Sequence, residues 1–538
     1  MANKTLFTSA ALKPTPTDTV NKAGGAAYKL SDKHALAQMV ATGTFGDTFY
    51  ANAETQLAEI LALVQKCNSG FIARLAVWGR EKGYMKDAPA LCAAVLTTRG
   101  EEGRKLLGKI FHRVIDNGRM VRNFSQIIRS GTVGRKSFGH DPKRLIREWF
   151  DKKSDHALFN ASVGNAPSLA DLIKMVHPKP KTEARDALFA YIIGSEKKLA
   201  EKQANLPKIV KDFEAFKKGE TTEVPSVNFQ MLTGLSSLTP AVWRKIAETA
   251  GWQWTRMNLR TMARHGLFAD NDFVKVIADR LRNPELVRES KCFPYQLLMA
   301  FNMVSTDSTV PPAIGLALQD AMEIATENVP AIAGKVWVFP DVSGSMGCAI
   351  TGNRKGATST VRCVDVAALI AATILRKNPE AEVIPIDTRL HTSLKLNPRD
   401  SVMTNAKKLA SCGGGGTHLG LAMDHIKNEK GDLVIFVSDN ESWVDRGYGF
   451  YDNRGTQIHT NWKTFKKHNK NARLVCLDLN AGSTTQAPDK NENTMNIGGF
   501  SDQVFSVISD FAAGMTPENW VGEIEKIDLD AVTTAVES

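Results

Sequence analysis

The sequence predicts an α plus α/β protein, a long array of antiparallel helices followed by a doubly wound parallel sheet. Two patterns and one length carry that expectation. From residue 335 onward, short apolar runs alternate with helical stretches, as in a parallel sheet covered on both faces. Over roughly the first 330 residues, amphipathic helical patterns follow one another with strand patterns nearly absent, which suggests stacked helix pairs as in an α-solenoid. At 538 residues the chain is too long for one core and suits two or three domains.

Residues 1–30, rich in Thr, Lys, Ala and Pro, read as an extended arm. Residues 31–330 form the helical part, with helices expected at 53–67, 104–115, 185–194, 251–268, 271–282 and 313–327, separated by short polar, Gly or Pro breaks. The α/β domain, 335–538, begins near Pro330 to Lys335. Its strands are KVWVF, AEVIPID at 381–387, DLVIFVS and ARLVCLDL at 472–479. Helices are expected between and after them at 361–378, 401–411, 418–430, 460–470, 501–514 and 518–527.

The stretch KVWVFPDVSGS (335–345) ends an apolar strand in a carboxylate followed by two alternately spaced hydroxyls, so Asp341, Ser343 and Ser345 share one loop. A hard divalent cation such as Mg2+ takes oxygen ligands and keeps several waters, and this set makes half of a suitable site. GGGGTHL at 413–419 offers Thr417 on a Gly-rich loop before a helix, and DLVIFVSDNES at 432–442 delivers Asp439 from a strand end. Open α/β sheets bind ligands outside those strand ends. An Asp or Ser after a strand is often only a cap or turn residue, but three segments in this order favour a metal site. The pattern resembles the metal-ion-dependent adhesion site of von Willebrand factor A (vWA) domains. That resemblance implies that Asp341, Ser343, Ser345 and Thr417 contact the ion directly or through water, that Asp439 acts through water, and that a partner's acidic residue fills the open position.

Charge separates the two parts. Residues 1–334 hold 46 Lys and Arg against 33 Asp and Glu, while residues 335–538 hold 22 against 24. Residues 101–150 alone carry 12 basic and 5 acidic side chains. Such density attracts a polyanion, and nucleic acid is the expected partner; an ordinary solvated helix face is the alternative. Arg129, Arg135, Lys136, Lys143 and Arg144 are the candidate RNA contacts there. In GWQWTRMNLRTMARHGLF (251–268) the spacing of four puts Arg256, Arg260 and Arg264 on one helix face. Trp252, Trp254 and His265 add planar rings, and single-stranded RNA is held by basic grooves with stacking surfaces. The bland reading leaves the tryptophans in the core and the arginines paired with acids.

Seven Cys without a CxxC cluster form neither a disulfide framework nor a zinc site and point to a reducing cytoplasm. No signal-like start and no apolar segment of membrane-spanning length is visible. Catalysis is not expected, because no P-loop, HExxH or GxSxG elbow is present.

A basic helical array joined to an A domain resembles the Ro ribonucleoproteins, whose helical ring is the TROVE domain, and bacterial members in particular. GGGGTHL, DLVIFVSDNES, GGF at 498–500 and NLRTMARHGLF are similar to that family's own segments. The resemblance implies a ring of HEAT-like repeats with a small non-coding Y RNA on its outer surface and single-stranded ends of misfolded RNA in its hole. It also implies work with exoribonucleases such as polynucleotide phosphorylase in RNA maturation, quality control or decay. NAPSLADLIKMVHPKP (165–180) keeps Lys174, His177 and Lys179 but is preceded by no basic residue, which shifts expected Y RNA recognition toward the 101–150 cluster. The expectation is therefore a cytoplasmic, non-enzymatic RNA-binding scaffold with a Mg2+-binding A domain. The alternative is a metal-dependent protein-interaction module on a helical spacer.

Overall fold

The computed structural model describes the chain except residues 1–14, 44, 236–237, 291, 293, 328, 354–360, 445–454, 481, 489–492, 502, 515–519 and 532–538. The chain packs as two compact units, Met1–Cys67 with Val274–Lys526, and Asn68–Phe273 with Ile527–Ser538. Packing thus groups the chain differently from its composition, because segments far apart in sequence cover the sheet.

The first unit is built on a five-stranded parallel sheet of order β4-β3-β5-β6-β8, with β3 Val336–Pro340, β4 Glu382–Val383, β5 Leu433–Ser438, β6 Arg473–Asp478 and β8 Thr494–Gly498. β3, β5 and β8 are buried along their whole length, as a doubly covered sheet requires. Trp337, Phe339, Val434, Phe436, Leu474 and Cys476 form one core with Met423, Trp462 and Phe465. On the other side the apolar helix Cys363–Lys377 packs on β3 and β5.

The expected strand at 381–387 is ladder-paired only over two residues. Pro385 lacks an N–H, and the chain continues beside β3 through single bonds from Ile384 N to Val338 O (3.0 Å) and Ile386 N to Pro340 O (3.0 Å). The helix expected at 418–430 is confined to Gly420–Ile426. The expected helices at 501–514 and 518–527 are described as Gln503–Ala512 and Trp520–Glu525, with residues 502, 518 and 519 outside the described part.

The expected N-terminal arm lies outside the described residues up to residue 14. Beyond it, β1 Thr19–Val20 pairs antiparallel with β2 Ala26–Lys29, and β2 pairs with β7 Thr484–Thr485. Helix Asp32–Thr42 follows, capped by Ser31, and packs against β8 and against helix Trp520–Glu525. His34 Nε2 lies 2.9 Å from Asn496 O, its ring meets Trp520 edge-on at 5.8 Å, and Lys33 pairs with Glu525.

The second unit is helical. Ser69–Glu81 packs on Asp87–Leu96 and Gly100–Val114, Asp87–Leu96 on Gly118–Ser130, and Leu169–Val176 on His140–Lys152 and Glu183–Ile193, the near-neighbour pattern of stacked helical repeats. Side-chain caps start these helices, among them Asn68, Asn117, Ser154 and a capping box of Ser168 with Asp171.

One expectation fails here. Residues 251–268 are not a continuous helix but two short ones, Trp252–Met257 and Leu259–Arg264, broken at Asn258. At Asn258 the backbone leaves helical geometry (φ −114°, ψ 16°), and both its N–H and its side-chain amide donate to Trp254 O, at 3.1 and 2.9 Å. Arg256 therefore does not share an unbroken helix face with Arg260 and Arg264. It is buried at 3% exposure, while the other two are exposed. Trp252 is buried in the core, and Trp254 meets Phe229 edge-on at 4.9 Å.

Candidate metal centre and basic surfaces

Four neighbouring chain segments of the sheet each end in an aspartate at the same edge: Asp341 after β3, Asp387 after the β4 segment, Asp439 after β5 and Asp478 closing β6. In-register parallel pairing places the C-terminal ends side by side, and Asp341 N donates to Val437 O at 2.9 Å. Asp341, Ser343, Ser345, Thr417 and Asp439 are all buried there.

The loop after β3 turns on a bond from Ser343 N to Asp341 Oδ1 (2.8 Å), which leaves the Ser343 and Ser345 hydroxyls 3.2 Å apart. The Gly-rich loop lies against it through Gly344 N to Gly415 O and Gly414 N to Val342 O, both 2.8 Å. Gly413 has φ +81° and a Cβ there would sit 2.3 Å from Val342 O, so only glycine permits this approach. After Asp439 the chain turns at Asn440 in the left-handed region (φ 56°), and Trp443 N donates to Thr417 O at 3.1 Å, locking the second and third segments together. Asp387 accepts from Gly415 N (3.2 Å), and Asp478 Oδ2 accepts from Asn440 Nδ2 (3.3 Å). Asp387 thus holds the Gly-rich loop that carries Thr417, and Asp478 the loop after Asp439.

Electrostatically the inner pair is costly as it stands. Burial, then the charge of Asp439, pushes the Asp341 carboxyl well above the usual range, and burial raises Asp439 as well. Glu441 is pushed up to about 8 by burial and the Asp439 charge, and Asp478 to about 7, mainly by burial. Asp341 Oδ2 and Asp439 Oδ2 are buried with no hydrogen-bond partner among the described residues. Two carboxylates with unmet oxygens beside three hydroxyls fit a hard divalent cation, and they are the side chains that would hold it. No group of three or more His, Cys, Asp or Glu that could hold a metal converges anywhere among the described residues, so the donor set here is two carboxylates with hydroxyls.

Sequence reading missed Tyr50. It comes from the loop after helix Asp32–Thr42, its hydroxyl bonds Ser345, and burial together with Asp439 raises its pKa. No local pattern marks it, because a lone Tyr in a loop signals nothing until the fold brings it here. Asp387 was more accessible to reasoning, since it closes an apolar run as Asp341 and Asp439 do.

Residues 335–512 match the family model of the Ro60 vWA domain. That stretch is similar to a Ro60-type vWA domain. The likeness to Ro proteins extends well beyond that domain. The chain is 23% identical over 527 residues to the RNA-binding protein RO60 of Deinococcus radiodurans, covering 92% of this chain and 95% of that one. The crystal structure of the Deinococcus radiodurans Ro protein superposes with a TM-score of 0.62 at 20% identity, covering 90% of this chain and 100% of that one. The shared fold is a many-helix region with a C-terminal vWA domain.

In the Ro-like helical unit the candidate basic residues fall into distinct groups. Arg129, at the end of helix Gly118–Ser130, and Lys174, near the end of Leu169–Val176, are exposed on two helices that pack together. His177 is exposed three residues beyond Lys174 as the left-handed C-cap, and Lys136 is exposed on the loop after Gly118–Ser130. Arg144 is engaged with Glu148 at 2.5 Å, and Lys143 is half-buried. Arg135 has a structural task, donating to Ser137 O at 2.7 Å, Phe138 O at 2.6 Å and Thr97 O at 3.2 Å. Replacing Arg135 by Ala should therefore cost roughly 1–3 kcal/mol of stability in chemical unfolding, since part-buried carbonyls lose a charged donor. RNA affinity at a temperature where the variant is folded should stay at the parent value.

Among the described residues no helix is long and apolar enough to cross a membrane.

Proposed function

We propose that this chain is a non-catalytic RNA-binding protein whose helical unit holds RNA and whose vWA domain binds Mg2+. The observation that carries the RNA reading is the exposure of Arg129 and Lys174 on two helices that pack together, in a chain similar over 92% of its length to a protein described as RNA-binding. Two exposed cations fixed by separate helices meet a phosphate backbone at little ordering cost. The metal reading rests on the unmet Oδ2 atoms of Asp341 and Asp439 beside Ser343, Ser345 and Thr417.

The finer reading assigns a small structured RNA of the Y type to the surface of Arg129, Lys174 and His177, with Lys136 and Lys143 nearby in sequence. Single-stranded ends of misfolded RNA would meet Arg260 and Arg264, with an exoribonuclease acting on the RNA so presented in the cytoplasm. An acidic residue of a protein partner would complete the metal shell. Crosslinking RNA to the protein in cells and sequencing it tests the whole: the expected result is enrichment of a small structured RNA with crosslinked peptides from 118–180. Recovery of no RNA above an unrelated control of equal charge would reject it.

A further inference from the structure

Three residues beyond Ser345 lies a second reactive group that takes no part in the metal site. Cys348 Sγ and Cys363 Sγ are 3.5 Å apart. The backbone makes this closeness a built feature. Ala349 and Arg362 form an antiparallel bridge, flanked by Cys363 N to Cys348 O at 2.9 Å and Ile350 N to Val361 O at 3.0 Å. The two cysteines therefore face each other as a cross-strand pair, where Cα atoms stand about 5.5 Å apart, inside the span a disulfide bridges. Cys348 is half-buried and reaches solvent, whereas Cys363 is 2% exposed.

We propose that Cys348 and Cys363 are a reversible dithiol–disulfide site, oxidised by hydroperoxides. The half-exposed Cys348 sulfur attacks one peroxide oxygen, forming an S–O bond as the O–O bond breaks and water or an alcohol leaves. The Cys363 sulfur then attacks Cys348, forming the S–S bond as the S–O bond breaks and a second molecule of water leaves. Two electrons and the two thiol protons pass to the peroxide, so the step balances. A thiol returns both electrons through a mixed disulfide. The bond would tie the turn that carries Ser345, whose carbonyl accepts from Cys348 N at 3.3 Å, to the first turn of the helix Cys363–Lys377.

The test needs neither metal nor RNA, so its failure is separate from failure of the proposed function. The full chain is treated with graded hydrogen peroxide, alkylated, digested without reductant and mapped by mass spectrometry. The expected result is loss of two of the seven titratable thiols and a linked Cys348–Cys363 peptide pair lighter by two hydrogens, both reversed by dithiothreitol. Cys348→Ser should abolish the linked pair and leave Cys363 alkylatable only after denaturation. Conversion of Cys348 to sulfinic acid with Cys363 still a thiol, or a dominant link between any other pair, overturns the proposal. Because the parent peptide map alone decides this, a poorly folding variant does not rescue it.

Discussion

Saturating Mg2+ should raise the melting temperature of the parent chain, and Asp341→Ala should abolish the response. Without a cation, the fold holds two buried carboxylates close together, with an oxygen on each lacking a hydrogen bond among the described residues. Unmet buried acceptors and mutual repulsion both raise the energy of the folded state alone, since the unfolded chain solvates them. A cation that binds only the folded state stabilises it by about 2.7 kcal/mol at a hundredfold excess over its dissociation constant. Asp341→Ala removes the central carboxylate and the repulsion together, so the variant should match or exceed the metal-free parent while ignoring Mg2+. Ser345→Ala should weaken the response without removing it. The measurement is a thermal melt at graded Mg2+ after chelation, and a parent melting temperature that does not move in saturating Mg2+ would refute metal binding.

Charge reversal of Arg129 and Lys174 to Glu should lower affinity for a structured small RNA by about tenfold or more, and flatten its salt dependence by about one unit of slope per lost phosphate contact. Both residues are exposed and lie on different helices, so the fold has little stake in them. Ala at Arg260 and Arg264 should instead weaken unstructured single strands and spare the structured RNA. Filter binding of both RNAs to both variants at two salt concentrations separates the surfaces. If neither variant changes either affinity, the proposed RNA surfaces are in the wrong place.

Much of the sheet domain was legible in the sequence because its signals are local. Apolar runs closed by Asp341 and Asp439, with Thr417 on a Gly-rich loop between them, state strand and loop in a few residues each. Where a property depends on the surroundings of a side chain, the sequence was silent. Arg135 and Arg129 are six apart and look alike in sequence, yet one guanidinium binds three carbonyls and the other faces solvent. Arg256 fits a four-residue spacing that the chain breaks at Asn258, where the backbone leaves helical geometry (φ −114°, ψ 16°). β8 escaped notice because TMNIG puts Thr494 and Asn496 among its buried residues, so no apolar run marks it. The Asn496 amide is met by the Thr485 hydroxyl and by Ala487 O, far from what a strand pattern reports.

The helix Asp32–Thr42 imposes an order on synthesis. Its buried residues Ala35, Leu36, Met39 and Val40 leave the ribosome long before two of the surfaces they cover, β8 and the helix Trp520–Glu525. Until those are made the helix has the next helix, Ala53–Lys66, as a native partner but not the sheet, and closure must then join residues more than 450 positions apart. Such late, long-range closure is slow and leaves the nascent chain open to capture by holding chaperones. It also means that a fragment beginning at Lys335 would expose the β8 edge that this helix normally shields, and should aggregate where the full chain does not.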